Sequence, residues 1–290
     1  MRTHAFEAMG TTVECLLEED ASADGNSFGE VEDEFRRLEE IFTRFDEESE
    51  LSRLNREGSL EVGVELLDVT ELALDARERT GGRFDPTVHD AVVAAGYDRT
   101  FADLDPGAPA GGDRGRPCGG RVVVDRASSR IELGEGVHLD FGGIAKGYAV
   151  ERACDLLAEQ GPCLINAGGD LAVRGRPGQG VWPVEVETPA GAFTLGLESG
   201  ALATSGSDRR RWRRGGEERH HLIDPASGRP AESDLLRVTV AAGSAVEGEV
   251  LAKALYLAGA ERAAAEADDL GVPCVLVLRD GGVVTAGGLS

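Results

Sequence analysis

Residues 139–157 read LDFGGIAKGYAVERACDLL, and the order of elements in this stretch decides how the chain is read. Leu139–Phe141 has the character of a strand, Gly142-Gly143 of a turn, and a helix is expected to start near Lys146. That succession brings backbone N–H groups and one ammonium to a single place, an arrangement suited to a phosphate. Asp140, just before the turn, suits a hydrogen bond from a base or ribose, or a share in holding a cation. The spacing is neither a Walker A nor a GxGxxG pattern, and a Gly-Gly turn between strand and helix also occurs as plain connection. Lys146 favours the functional side of that choice, because lysine is rare here: the only other one is Lys253, in SAVEGEVLAKALYLAG (244–259).

The scarcity of lysine belongs to a wider charge pattern. Thirty basic and 53 acidic side chains give a net charge of −23 across 290 residues. So negative a chain is not expected to bind nucleic acid or an anionic membrane surface. The acids are spread along the chain rather than gathered in a tail, and 41% of residues are apolar, enough for a real core. Adaptation to high salt fits both observations, since at molar ionic strength a Debye length of about 3 Å screens like-charge repulsion. No apolar run is long enough for a membrane span, and the N-terminus lacks the features of a secretory signal. Five scattered cysteines, without CxxC spacing, read as small buried hydrophobes in a cytoplasmic protein.

Outward from the central stretch, residues 3–19 read as strands around a Met-Gly-Thr turn. In NSFGEVEDEFRRLEEIFTRFD, Phe28, Val31, Phe35, Leu38, Ile41, Phe42 and Phe45 recur at spacings of three and four, an amphipathic helix with Asn26 or Ser27 as its cap. A second helix is expected in VELLDVTELALDARERTGG, ending at Gly81-Gly82. Residues 103–120 are rich in Gly, Pro and Asp and read as an exposed loop insertion. Strands are expected at RVVVD, RIELG, PCLINAGGDLAVRG, VWPVEVETP, AFTLGLES, HHLIDP and LLRVTVAAG. Residues 246–270 read as a helix in two pieces broken near Gly259, and PCVLVLRDGGVVTAG as a closing hairpin. Strands and long helices alternate irregularly, which predicts an α+β fold in a single domain, 1–290, with mixed or antiparallel sheets and flanking helices.

Several shorter motifs admit two readings each. Phe84-Asp85-Pro86 suits stacking and hydrogen bonding to a ring, or a core Phe before an Asp-Pro turn. His221 near Asp224 suits a base-acid pair, or an edge histidine beside a turn. DRRRWRRGG (208–216) suits single-stranded nucleic acid in a basic protein; at −23 a solvated loop paired with local acids fits better.

In order, AMGTT, FTRFDEESELSRLN, TGGRFDPTV, LDFGGIAKGYAVERACDLL, LINAGGDLAVRG, LATSGSDRRRW, HHLIDPASGRP and GEVLAKALYLAG resemble the FAD:protein FMN transferases, the ApbE family, along essentially the whole chain. The resemblance implies that family's α+β fold, with a flavin nucleotide held between two lobes. It implies a transferase that passes FMN from FAD to a threonine hydroxyl of a target protein and releases AMP. An FAD-binding homologue that no longer transfers, and an FAD pyrophosphatase, are the alternatives. Position by position, it implies nucleotide contacts at Met9, Phe45, Arg83, Phe84, Asp85, Asp140, Lys146, His221 and Leu222, and a catalytic role for His221; Lys253, a departure from the family, is expected either to act in catalysis by supplying part of the metal's charge or to pair with Glu249 four residues earlier on the helix. Magnesium would be held by the Gly143 carbonyl and by Glu249, which stands where the family has an aspartate. Lys253 stands where the family has a ligating threonine, which puts magnesium in question.

Overall fold

The computed structural model describes residues 1–18, 27–104, 115–178, 180–189 and 191–289. Among these are seven α-helices: α1 (Ser27–Phe42), α2 (Glu50–Glu57), α3 (Val64–Arg79), α4 (His89–Ala94), α5 (Ala145–Ala158), α6 (Ala245–Ala258) and α7 (Ala260–Leu270). With one eight-stranded sheet and several small antiparallel ones, the architecture is α+β, as the sequence predicts. No described helix is long and apolar enough to cross a membrane.

The chain forms two compact units, each built from separate segments. The first holds Met1–Glu39, Ile144–Ser205 and Ser233–Ser290, and the second Glu40–Gly143 and Gly206–Glu232. One boundary falls inside α1 and another within the Gly-rich turn, so neither carries the composition of a linker.

In the first unit the large sheet runs in the order Arg2–Ala8, Thr11–Leu17, Cys163–Ala167, Asp170–Arg174, Gly200–Gly206, Leu235–Ala242, Cys274–Leu278, Val283–Ala286. Register assigns side chains to its faces. Leu164 pairs with Val173 and Asn166 with Leu171, and this face packs Leu164, Leu171, Val173 and Leu202 against Trp182 and Val184. Ile165 pairs with Ala172 and Ala167 with Asp170, so these residues turn the other way, towards α5. Cys163 and Cys154 of α5 meet there, with sulfurs 3.7 Å apart. A fully buried aliphatic side chain contributes about 1.5–3 kcal/mol and an exposed ion pair about 0–1, so these two faces rather than the many surface charges hold the unit.

The second unit combines α2, α3 and α4 with a three-stranded sheet, in the order Ser59–Glu61, Arg130–Leu133, Val122–Asp125, and a hairpin of Arg211–Arg214 and Glu217–His220. Trp212 anchors that hairpin. It packs on Val92, Ala95 and Ile223 and donates its indole N–H to the Ala95 carbonyl at 3.1 Å.

Four local expectations change. Arg211–Arg214, within the arginine-rich 208–216 stretch, form a strand rather than loop, although the stretch does pair with acids, Arg211 with Glu218 at 3.3 Å. Residues 137–141 form no strand. The helix α2, capped by Ser49 and closed by Gly58 in the left-handed region, was not expected. Ser27 begins α1, but its buried hydroxyl makes no hydrogen bond and caps nothing; Asn26 lies outside the described residues. Of the 103–120 segment, 105–114 lies outside the described residues and 115–120 has no regular structure.

Candidate functional site

One glycine lets α5 and α6 approach closely, and a second lets α6 approach the large sheet. A Cβ on Gly147 would stand 2.7 Å from the Ala245 carbonyl oxygen, in the first turn of α6. Gly248, in the same region of α6, leaves just enough room for Ala203, whose Cβ a side chain there would meet at 3.2 Å. The approach brings Glu249 to the start of α5, which has no side-chain cap of its own. The Gly147 N–H donates to Glu249 Oε2 at 2.8 Å, so a carboxylate borrowed from α6 satisfies one orphan donor and meets the positive end of the helix dipole.

Lys146, the second residue of α5, lies between two buried carboxylates. Its Nζ hydrogen-bonds Asp170 and stands 3.5 Å from Glu249 Oε1. The Lys146 side chain is 17% exposed, and those of Asp170 and Glu249 only 3% and 4%. Asp170 is oriented in turn by the Thr204 N–H, 3.1 Å from Oδ1. Charges this deep persist only when paired and hydrogen-bonded, and here they are. The α5 N-terminus and its ammonium are thus engaged by acids of the protein itself. Lys253 follows one turn after Glu249 on α6 and is half-buried.

The second unit carries a separate constellation. Arg44 Nε pairs with Asp140 Oδ2 at 2.8 Å, with both side chains less than one-tenth exposed. The same guanidinium lies 4.3 Å from the centre of the Phe45 ring and 4.7 Å from that of Tyr97, and Tyr97 leans on Trp212 with centroids 5.5 Å apart. Phe45 remains 40% exposed, so the cluster ends in an aromatic surface. The other oxygen of Asp140 accepts the Gly142 N–H at 2.7 Å and shapes the turn.

The remaining predicted residues are placed as follows. Met9 and Gly10 both have positive φ, 51° and 68°, in the two-residue hairpin between Ala8 and Thr11, a primed turn that strains any residue with a Cβ. Phe84 is buried. Asp85 accepts from the Thr87 N–H at 2.9 Å and its hydroxyl at 2.7 Å and pairs with Arg77 at 3.0 Å. Arg83 Nε donates to the Thr80 carbonyl at 3.2 Å, and Leu222 is buried. His221 Nδ1 lies 3.4 Å from the Arg210 carbonyl oxygen. A carbonyl only accepts, so Nδ1 carries the proton and Nε2 holds the lone pair. Asp224 caps its own turn through the Ala226 N–H at 3.0 Å. Gly143 offers only its backbone.

Arg44, Tyr97 and Asp170 were not singled out from sequence. Asp170 ends the Gly-Gly-Asp of LINAGGDLAV and Arg44 sits in FTRFDEES, so both lay inside motifs already noted.

A family model described as the ApbE family matches residues 9–276. The FAD:protein FMN transferase of Salmonella typhimurium is 28% identical over 258 residues, covering 83% of this chain and 73% of that protein. The transferase of the same name from Vibrio cholerae is 29% identical over 260 residues, covering 84% and 78%. In three dimensions, the ApbE protein of Thermotoga maritima matches with a TM-score of 0.88 at 27% identity, over 98% of this chain and 96% of that one. The flavinyl transferase ApbE of Pseudomonas stutzeri matches with a TM-score of 0.83 at 24% identity, over 98% and 94%. The agreement runs through both units rather than one motif: the chain belongs to the ApbE family.

Proposed function

We propose that this protein transfers FMN from FAD to a hydroxyl of a target protein and releases AMP. The observation that carries the reading is the family match over 9–276, together with relatives named for that reaction that align over more than four-fifths of the chain. The acceptor is a threonine. Its oxygen attacks the phosphorus on the FMN side of the pyrophosphate, the bond from that phosphorus to the bridging oxygen breaks, and AMP departs with the electron pair. His221 is our candidate for taking the hydroxyl proton, because with Nδ1 donating to the Arg210 carbonyl its Nε2 can act as the base. Met9, Phe45, Arg83, Phe84, Asp85, Asp140, Lys146, His221 and Leu222 are the proposed nucleotide contacts.

Phosphoryl transfer needs positive charge at the pyrophosphate, which magnesium supplies when bound. The residues at hand do not suit that ion. Glu249 already accepts from Lys146 and Gly147. An ammonium at Lys253 has no lone pair to offer. Asp170 is likewise engaged by the Lys146 ammonium. In this reading Lys253 neutralises part of the pyrophosphate charge and the reaction depends weakly on magnesium. The same substitution also favours a second reading, an FAD binder that no longer transfers.

Incubating the protein with FAD and a threonine-bearing acceptor peptide, then weighing the peptide, tests the proposal. A mass gain equal to an FMN group, matched by an equal amount of AMP, is expected. FAD bound but left intact would support the second reading, and free FMN with free AMP would indicate hydrolysis instead.

A further inference from the structure

Two of the five histidines in the chain converge on one carboxylate in the second unit, and none of the three residues is given a role above. His89 Nδ1 lies 2.8 Å from Asp90 Oδ1, and His138 Nδ1 lies 2.9 Å from the same oxygen and 3.0 Å from Oδ2. The two rings are tilted at 57° to each other with centroids 5.6 Å apart. One donor atom from each residue lies within 4.8 Å of the others.

The backbone beneath these side chains is pinned. His89 starts α4 directly after the turn that Asp85 caps. The segment bearing His138 is clamped by Asn55, whose side chain bonds the Leu139 carbonyl at 2.8 Å and the Leu139 N–H at 2.7 Å. The Asp140 N–H donates to the Pro86 carbonyl at 2.8 Å and ties the two segments together. Forty-eight residues of chain separate the histidines, yet neither depends on a long loop for its position.

We infer that His89, Asp90 and His138 form a binding site for a divalent transition-metal ion of the zinc or nickel kind. Two imidazole nitrogens and one carboxylate oxygen match the preference of such ions, whereas magnesium and calcium select oxygen throughout. Three protein ligands leave one tetrahedral position open to water. An ionised carboxylate can only accept, so both Nδ1 atoms carry protons in the metal-free form. On binding, each Nδ1 gives up its proton, to Nε2 of its own ring or to solvent, and presents its lone pair to the ion. The hydrogen bonds between the three groups give way to bonds of about 2.0–2.2 Å to the ion. An ion there would cross-link the segment after Phe84-Asp85 to the one before the Gly-rich turn.

The test is calorimetric titration of the full-length, chelator-stripped protein with zinc chloride in excess magnesium chloride, which saturates any magnesium site first. One zinc per chain is expected. His89→Ala and His138→Ala should each weaken it by about 10–100-fold or more. His138→Gln keeps a donor for Asp90 but supplies no imidazole, so it should fold normally and still lose the zinc. No zinc binding by the intact protein, or binding that survives the histidine substitutions, would overturn the inference. Loss of zinc in Cys118→Ser alone would overturn it equally, because it would place the ion on another donor set.

Discussion

The carboxylate of Glu249 accepts the backbone N–H of Gly147 at 2.8 Å, so α6 caps the first turn of α5. That relationship changes the meaning of two residues in the central motif and of one in α6. Gly147 is small because the α6 backbone runs past it, Glu249 is buried because a helix end needs it, and Lys146 balances the charge so introduced. The start of α5, which from sequence looked like a ready phosphate cradle, is already filled from within.

Removing Lys146 should therefore cost folding stability as well as nucleotide affinity. Lys146→Ala leaves Asp170 and Glu249 buried without their cation, a change worth about 3–5 kcal/mol for pairs of this kind. Urea unfolding of the variant should show a lower midpoint with an unchanged slope. A midpoint equal to that of the parent would mean that the two acids find water or another partner once the lysine is gone.

Salt should stabilise the protein. At 0.1 M the Debye length is about 10 Å, and the −23 net charge then repels itself across the surface. We expect the Tm to climb as potassium chloride approaches molar concentration. A flat or falling trend would separate the acidity of the chain from any adaptation to salt.

Alkali should destabilise it through its thiols. Burial first, then neighbouring charges, pushes Cys15 up to about 12 and Cys118 to about 11; burial, partly offset by a hydrogen bond from the Ala286 backbone and reinforced by Asp268, pushes Cys274 to about 11, against 9.0 as the ordinary value. Above pH 9 the unfolded chain loses these protons while the native one keeps them. The stabilisation is thus complete below 9 and is lost as pH rises towards 11–12. Denaturant melts should show the decline, and Cys274→Ala should make it shallower. An identical slope in that variant would assign the alkaline loss to other groups.

What could be read from sequence follows what each signal reports. The helix α1 was legible because Val31, Phe35, Leu38 and Phe42 fall on one face and are all buried. The break at Gly259 was legible because φ of 79° with ψ of 163° suits no other residue. The eight residues of α2 are too few for a clear period, with only Leu51 and Leu54 buried, and its signals were the capping Ser49 and the closing Gly58. Arg44 and Asp170 went unmarked because a buried charge is written with the same letter as a surface one, and this chain has many of each. The meeting of His89 with His138 depends on the Asn55 clamp and the Asp140–Pro86 bond, which no local pattern announces.

The most direct test of the account is the rate of FMN transfer to a threonine-bearing peptide at high salt, with excess chelator and with magnesium, for the natural protein and for Lys253→Thr combined with Glu249→Asp. With an ammonium one turn from Glu249 in place of a ligand, the natural protein should transfer FMN in chelator almost as fast as in magnesium. The double variant, with a hydroxyl and a shorter carboxylate at those positions, should need the ion. A natural protein that transfers only when magnesium is present, or a double variant that transfers where the natural protein does not, would contradict the account.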